Sequence, residues 1–218
     1  MRDDVAMSTP FLSLAGAPES GMTHASEQRM SVEIFRRFYA GRPDEERWEL
    51  INGAAIKLAT STLAHQRIAS NLESCLEEAL RDREPELTAL QRFAVNIGSS
   101  IDDPSPDIVV IDSLIRAAHE DRYADRFYLV AEIVSSNDRV DVESKRAVYK
   151  LHDSCTCILT VQQERFEVRI DLRTDTDWSE QVLQKPDDIL ALPAFGLRCK
   201  ISDLYRGTPL LPRHRPST

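Results

Sequence analysis

Residues 128–150 read YLVAEIVSSNDRVDVESKRAVYK and join a continuous apolar run to a segment with helical spacing. The run FYLVAEIV at 127–134 predicts a strand, because it is short, apolar and rich in β-branched and aromatic residues. The segment from Asp138 to Lys150 predicts a helix, with Ser, Asn and Asp as cap candidates and acids in its first turn. This alternation favours an α/β fold.

Further strand patterns lie on both sides of this stretch. They are TALQRFAVNI at 88–97 and DIVVID at 107–112 before it, and CTCILTVQ at 155–162, RFEVRIDL at 165–172 and EQVLQ at 180–184 after it. The segments 155–162 and 165–172 predict an antiparallel pair. The sequence has no internal repeat and no second core pattern, so we expect one domain.

The N-terminal half adds a hairpin and a long helix. In WELINGAAIKL at 48–58, Asn52-Gly53 separates two apolar segments, and both residues tolerate the positive φ of a type I′ turn. The sequence therefore predicts a β-hairpin here. Apolar residues at helical spacing predict a helix over His65–Arg81.

The length of 218 residues suits a single domain. Residues 1–29 lack hydrophobic periodicity and predict a flexible N-terminal extension. We expect the ordered domain over 30–207, starting with a short helix from its N-cap Ser31 to Tyr39, and a C-terminal tail over 208–218.

Composition limits the classes of partner. The net charge of −9 opposes polyanion binding as a whole-molecule effect, but leaves room for a local basic groove. No apolar run approaches the ~20 residues that span a bilayer, so no membrane partner is expected. Four cysteines without zinc-site spacing (Cys75, Cys155, Cys157 and Cys199) and a weak signal-peptide pattern predict reduced thiols and a cytoplasmic location.

Three acids interrupt the apolar strand patterns. Asp107 opens the run 108–111, Glu132 lies inside 129–134, and Glu49 starts the predicted hairpin. A carboxylate buried in a sheet is paired, protonated or bound to a cation, and strand-borne carboxylates that converge suit Mg²⁺. The structural alternatives are a turn role for Asp107 at its strand start and a salt bridge for Glu132.

Asp141, Lys145 and Tyr149 recur at intervals of four and share one face of the predicted helix. One interpretation is a solvent-exposed Asp–Lys pair of small energy. The other is that Lys145 points back at the carboxylates, where its charge orients a nucleophilic water or stabilises a transition state. The spacing alone leaves both open.

Five segments occur in the order of a known family: WELINGAAI, AHQRIASNL, PSPDIVVID, the stretch 128–150 and LPAFGLRCKISDLY. They resemble the Uma2-like family of restriction endonuclease-like proteins, within the PD-(D/E)XK nuclease superfamily, over residues 31–205. This resemblance implies a central mixed β-sheet flanked by helices, with an N-terminal β-hairpin. Pro106-Asp107 is similar to the superfamily's PD element, and 132–135 to its metal-binding strand.

The resemblance also implies a role for each site residue. Asp107 and Glu132 would bind Mg²⁺ or Mn²⁺, with the backbone carbonyl of Ile133 as a further ligand, and Glu49 would bind metal or position water. Val134 holds the usual place of the superfamily lysine, and Lys145 matches the lysine that this family carries on the following helix. His65, Asp141 and Tyr149 would be accessory, although a histidine at a helix start is equally often a solvated or capping residue.

One departure concerns the strand after this helix, which reads TCILTVQ at 156–162 and lacks the family's Tyr-Trp pair and terminal acid. The leading hypothesis is a metal-dependent endonuclease acting on DNA, with a homodimer as its expected assembly. The alternatives are a non-catalytic nucleic-acid or protein-binding module on the same scaffold, and a hydrolase of small phosphate esters.

Overall fold

A computed structural model describes residues 29–43, 45–113, 123–135 and 142–212. Its helices are α1 Val32–Ala40, α2 Leu63–Arg83, α3 Val142–Lys150 and α4 Ile201–Leu204, with a 3₁₀ turn at Pro193–Phe195. Its strands are β1 Trp48–Ile51, β2 Ala54–Lys57, β3 Leu87–Gln91, β4 Ala94–Val95, β5 Ile108–Asp112, β6 Tyr123–Ala124, β7 Leu129–Val134, β8 Cys157–Gln162, β9 Val168–Arg173, β10 Trp178–Leu183, β11 Ile189–Leu192 and β12 Leu197–Lys200.

Six strands form a central sheet in the order β10-β9-β8-β7-β5-β3. The β7–β8 pair is parallel, with α3 in the connection, and the other neighbours are antiparallel. The pairs β1–β2, β4–β6 and β11–β12 form small separate sheets. A mixed sheet flanked by helices, with an N-terminal hairpin, confirms the predicted fold class.

Side-chain alternation on the strands divides the core into two layers. On β5, Ile108 and Val110 pack in the cluster that contains Leu72 of α2, whereas Val109 and Ile111 pack in the cluster that contains Val148 of α3. The sheet therefore has α2 on one face and α3 on the other. Both faces of β7 are buried along its whole length.

The predicted hairpin turn and the predicted cap of α1 are present. Asn52 and Gly53 have φ of 51° and 78°, as a type I′ turn requires at both central positions. The side chain of Ser31 accepts a hydrogen bond from the Ile34 N–H and caps α1, which ends at Gly41. The predicted antiparallel pairing of β8 with β9 is confirmed.

One predicted strand is broken in the structure, and the start of one predicted helix cannot be compared. The segment 88–97 is broken, because Arg92 takes a positive φ of 56° and ends β3, and β4 then pairs with β6 in another sheet. The described part of α3 starts at Val142, and the cap candidates at 136–141 lie outside the described residues.

The predicted domain limits at residues 30 and 207 stay a prediction. The N-terminal extension, apart from Arg29, lies outside the described residues. The predicted tail starts at residue 208, yet Thr208 is buried and its hydroxyl donates to the Tyr205 carbonyl at 2.7 Å, so packing continues past that limit. Among the described helices, none is long and apolar enough to cross a bilayer.

Candidate active site

The sheet brings Asp107 and Glu132 to neighbouring positions. The antiparallel β5–β7 register pairs Ile108 with Ala131, so Asp107 lies opposite Glu132, one residue further out. The N–H of Ile133 donates to Oδ2 of Asp107 at 2.9 Å. Because the N–H and C=O of one strand residue point to the same side, the Ile133 carbonyl faces that side as well.

Lys145 on α3 links two of the predicted acids. Its Nζ lies 2.7 Å from Oε1 of Glu132 and 2.9 Å from Oε2 of Glu49, and only 6% of its side chain is exposed. The hydroxyl of Tyr149, one helical turn later, donates to Oε1 of Glu132 at 2.6 Å. The interpretation of Lys145 as part of a solvent-exposed pair is therefore wrong, and the salt-bridge partner expected for Glu132 is Lys145 itself.

His65 contacts Asp107 from α2, the helix that packs on the face of the sheet opposite α3. It lies in the first turn of α2, where the Thr62 side chain accepts a hydrogen bond from its backbone N–H at 3.1 Å. Its Nε2 lies 3.1 Å from Oδ1 of Asp107, and 14% of its side chain is exposed. His65 is thus neither the cap nor a solvated residue. Asp141 lies outside the described residues.

Burial and mutual charge set the protonation of this group. Burial raises the pKa of Glu132 to about 7, against the opposing charge of Lys145 and with the help of Asp107 and Glu49. Burial also acts to lower the pKa of Lys145, but the two glutamates outweigh it and the pKa is raised, so the ammonium is retained at neutral pH. Burial and the charge of Glu132 keep the pKa of Tyr149 well above its ordinary value.

Asp107 is held as a carboxylate. Burial acts to raise its pKa, but the hydrogen bond and charge of His65, the Ile133 N–H and the charge of Lys145 outweigh burial, and the pKa is lowered. Asp107 therefore stays ionised beside a neighbour, Glu132, whose pKa is raised. Such divergent environments for two adjacent acids are typical of functional sites.

The oxygen atoms gathered here are of the chemical type that a hard divalent cation accepts. Glu49 is fully buried, and its Oε1 has no hydrogen-bond partner within the described residues. That oxygen, the carboxylates of Asp107 and Glu132 and the Ile133 carbonyl are the oxygen donors that Mg²⁺ accepts. The described chain contains no cluster of three or more His, Cys, Asp or Glu side chains set to hold a metal. A cation here would therefore use few side chains and complete its shell with water or substrate.

These residues line one cleft with a volume of about 810 Å³. Its walls include the predicted site residues Glu49, His65, Asp107, Glu132 and Lys145. They also include Arg47, which no motif in the sequence marks but which precedes Glu49 by two positions. Strand alternation sends both side chains to the same face, and this is the one sequence signal that could have found it.

The sequence from residue 32 to residue 202 matches the model of the Uma2 family, which carries the description "Putative restriction endonuclease". The fold is similar to the crystal structure of a "putative nuclease belonging to DUF820" from Anabaena variabilis ATCC 29413. The TM-score is 0.63 at 18% identity, with 78% of this chain and 96% of that chain covered. No curated protein sequence matches the chain. Because the family match spans more than half of the sequence, this chain belongs to the Uma2 family.

Proposed function

We propose that this chain is a divalent-metal-dependent endonuclease that hydrolyses phosphodiester bonds in DNA. The observation that carries the proposal is the convergence of Glu49 and Glu132 on Lys145 beside Asp107, in one cleft. The description of its family, "Putative restriction endonuclease", supports nuclease chemistry. The fold shared with a protein described as a "putative nuclease" supports it further.

In this proposal Asp107, Glu132 and the Ile133 carbonyl hold Mg²⁺ or Mn²⁺, and Glu49 binds the same ion or positions water. A bound divalent ion lowers the pKa of a coordinated water and neutralises charge on the phosphate. The fit rests on the unpartnered Oε1 of Glu49 and on an all-oxygen donor set.

In the proposed hydrolysis, side chains of this protein donate hydrogen bonds and orient the carboxylates. A water attacks the phosphorus atom, one ester P–O bond breaks, and the leaving oxygen takes a proton, which gives a phosphomonoester and an alcohol. Lys145 retains its proton, so it donates to the attacking water or to a phosphoryl oxygen rather than acting as the base. Tyr149 orients Glu132 and His65 orients Asp107, through the hydrogen bond and contact described above. Asp141 stays an accessory residue.

Nicking of supercoiled plasmid with Mg²⁺, Mn²⁺ or EDTA tests the proposal. Asp107→Asn, Glu132→Gln and Lys145→Met should each lower the rate by at least about 10²-fold in folded protein, and EDTA should abolish it. Asp112→Asn is the matched control for Asp107→Asn. Asp112 ends β5, the strand that Asp107 immediately precedes, and it accepts a hydrogen bond from the Tyr128 hydroxyl. Cleavage in EDTA, or full activity in all three variants, would contradict the proposal.

The second candidate is the non-catalytic binding module on the same scaffold. Cationic side chains supply most nonspecific affinity for DNA, so the net charge of −9 counts against a DNA-cleaving enzyme and favours this alternative. Salt-dependent binding to duplex DNA without product, in both metals, would support it. Turnover of nucleotides but not of plasmid would instead favour a hydrolase of small phosphate esters.

Location and assembly complete the proposal. All four cysteines are free thiols, as is usual for proteins in a reducing compartment. A cytoplasmic location is therefore part of the proposal. The homodimer expected from the sequence stays a prediction, and light scattering of the purified chain tests it.

A further inference from the structure

A second cavity lies next to the catalytic cleft and shares residues with it. Its volume is about 350 Å³, within the range of pockets that take small ligands. It is formed by α1, the start of β1 and the turn between β3 and β4. Arg47 and Ser105 line both spaces, so a ligand that spans them would pass Arg47.

Arg47 has an unused hydrogen-bonding group. Its Nη2 is buried and has no partner within the described residues, a costly arrangement for a guanidinium. The guanidinium of Arg92 lies close enough for its positive charge to act on Arg47. An anionic ligand would satisfy Nη2 and relieve the repulsion between the two guanidinium groups.

The cavity is positive although the whole chain is acidic. Both acids in its lining are already paired, Asp103 with Arg36 at 2.7 Å and Glu46 with Lys57 at 2.5 Å. Three further arginines line it, and none forms a salt bridge within the described part of the chain: Arg42, Arg47 and Arg92. Arg92 is also tied to the catalytic side, because its backbone N–H donates to the Asp107 carbonyl at 3.0 Å.

Planar side chains form the remaining wall. Trp48 and Arg42 line the cavity, and both pack against Phe38, which is not itself a lining residue. The rings of Trp48 and Phe38 meet edge to face at 5.1 Å between centroids, and the Arg42 guanidinium lies 4.0 Å from the centroid of Phe38. Tyr39 and Phe93 are half-buried in the same lining. Nucleobases stack on aromatic rings and on guanidinium planes without strong sequence preference.

We propose that this cavity binds the nucleotide next to the scissile phosphate, with its phosphate on Arg47 and Arg92 and its base against Trp48. The inference rests on the proposed function. A base inside a paired and stacked duplex cannot enter such a cavity, so the nucleotide must be unpaired. The chain therefore prefers DNA that carries an unpaired nucleotide beside the cut.

Binding without cleavage tests this preference. The full chain in EDTA is titrated by fluorescence anisotropy against a blunt duplex, the same duplex with one bulged thymidine, and the same duplex with an abasic bulge. The bulged thymidine should bind about tenfold more tightly than the blunt duplex, and the abasic bulge should lose most of that gain. In a Trp178→Phe background, where Trp48 is the remaining tryptophan of the two, only the thymidine bulge should quench its fluorescence.

Three variants test the residues. Arg47→Met, Arg92→Ala and Trp48→Leu should each weaken binding of the bulged duplex by about tenfold. Arg92 is exposed, so its variant tests the inference even if Trp48→Leu fails to fold. Arg81→Ala is the matched control, because it removes the same charge from an exposed position near the far end of α2.

The inference and the proposed function can fail separately. Equal binding of the three duplexes, or unchanged binding by Arg92→Ala, overturns the inference even if the wild type cleaves DNA with Mg²⁺. A bulge preference that depends on Arg92, with no cleavage in either metal, upholds the nucleotide site and contradicts the proposed function.

Discussion

The hydroxyl of Tyr149 donates a 2.6 Å hydrogen bond to Oε1 of Glu132, the oxygen that Lys145 also contacts at 2.7 Å. Tyr149 is fully buried, so Tyr149→Phe removes this donor while keeping the ring. A hydrogen bond to a charged group contributes about 1.5–3 kcal/mol, so we expect kcat to fall by about tenfold or more. KM should stay unchanged. Single-turnover cleavage checks this, and a raised KM with an intact kcat would instead indicate a role in substrate binding.

Lys145→Met should destabilise the metal-free protein as well as inactivate it. Glu49 and Glu132 would then be buried carboxylates without their cationic partner, and such a loss costs about 3–5 kcal/mol. Urea unfolding in EDTA measures the effect. Adding Glu49→Gln to the variant should recover part of the stability but none of the activity. A double variant that is no more stable than the single one would contradict the role of Lys145 as counter-charge.

The strand and helix patterns identified the candidate residues for this part of the site, and the family resemblance chose between the interpretations that the spacing left open. Asp107 and Glu132 stand out because each is an acid inside an apolar strand, and the interval of four from Lys145 to Tyr149 identifies the face of α3 that meets them. The Asn52-Gly53 turn identifies the hairpin that carries Glu49. These are local signals, and local geometry converts them directly into positions.

Contacts across the fold could not be predicted in this way. The bonds of Arg146 to Asp171, 25 residues apart, depend on α3 packing beside β9, and no spacing rule encodes that contact. Arg92 breaks a predicted strand through its positive φ and also lines the second cavity. No Gly or Asn stands at this position to indicate a positive φ from the sequence. The basic cavity is invisible in a net charge of −9, because the charges that form it come from separate segments.

His65→Ala should weaken metal binding more than it impairs the chemical step. His65 helps to keep the pKa of Asp107 low, against burial, so its removal should leave that carboxylate less ionised and less well oriented. We expect the Mn²⁺ concentration for half-maximal activity to rise about tenfold, as loss of an outer-shell partner does in metal sites. Arg67→Ala, two residues along the same helix, is the control. A rate that stays low at saturating Mn²⁺ would assign His65 to the chemistry itself.

Asp171→Asn should reduce stability in a pH-dependent way. Asp171 is fully buried and accepts hydrogen bonds from Arg146 and Lys150, which outweigh burial and lower its pKa from 3.8. A depressed folded-state pKa contributes stability above the unfolded pKa, and this is lost as the pH falls through the folded one. We expect the substitution to lower the free energy of unfolding by about 3–5 kcal/mol at pH 7. This difference between variant and wild type should become smaller below pH 3.8.

Urea midpoints of the wild type and Asp171→Asn across this pH range measure the difference. The control is Asp187→Asn, since Asp187 forms its ion pair with Lys200 while 83% exposed, and should change little at any pH. A deficit in Asp171→Asn that is constant with pH would contradict the ionic contribution.

Alanine substitutions at Gly53 and Gly98 distinguish backbone strain from steric crowding. Gly53 lies in the turn of the hairpin that carries Glu49, and Gly98 lies outside that hairpin. Their φ values are 78° and 74°, so an alanine meets similar backbone strain at each position. A Cβ at Gly98 would meet nothing within 4 Å, but a Cβ at Gly53 would lie 2.5 Å from Cβ of Arg29. Gly98→Ala should cost about 1–2 kcal/mol, the usual strain of this region.

Gly53→Ala should cost more, because Arg29 or the hairpin must also move. Since β1 carries Glu49 to Lys145, that movement should lower the cleavage rate as well, whereas Gly98→Ala should leave it intact. Thermal melting and plasmid nicking on the two variants measure both effects. If they lose equal stability and equal activity, the contact with Arg29 does not hold the hairpin in place, and its position must come from the buried face of β1 alone.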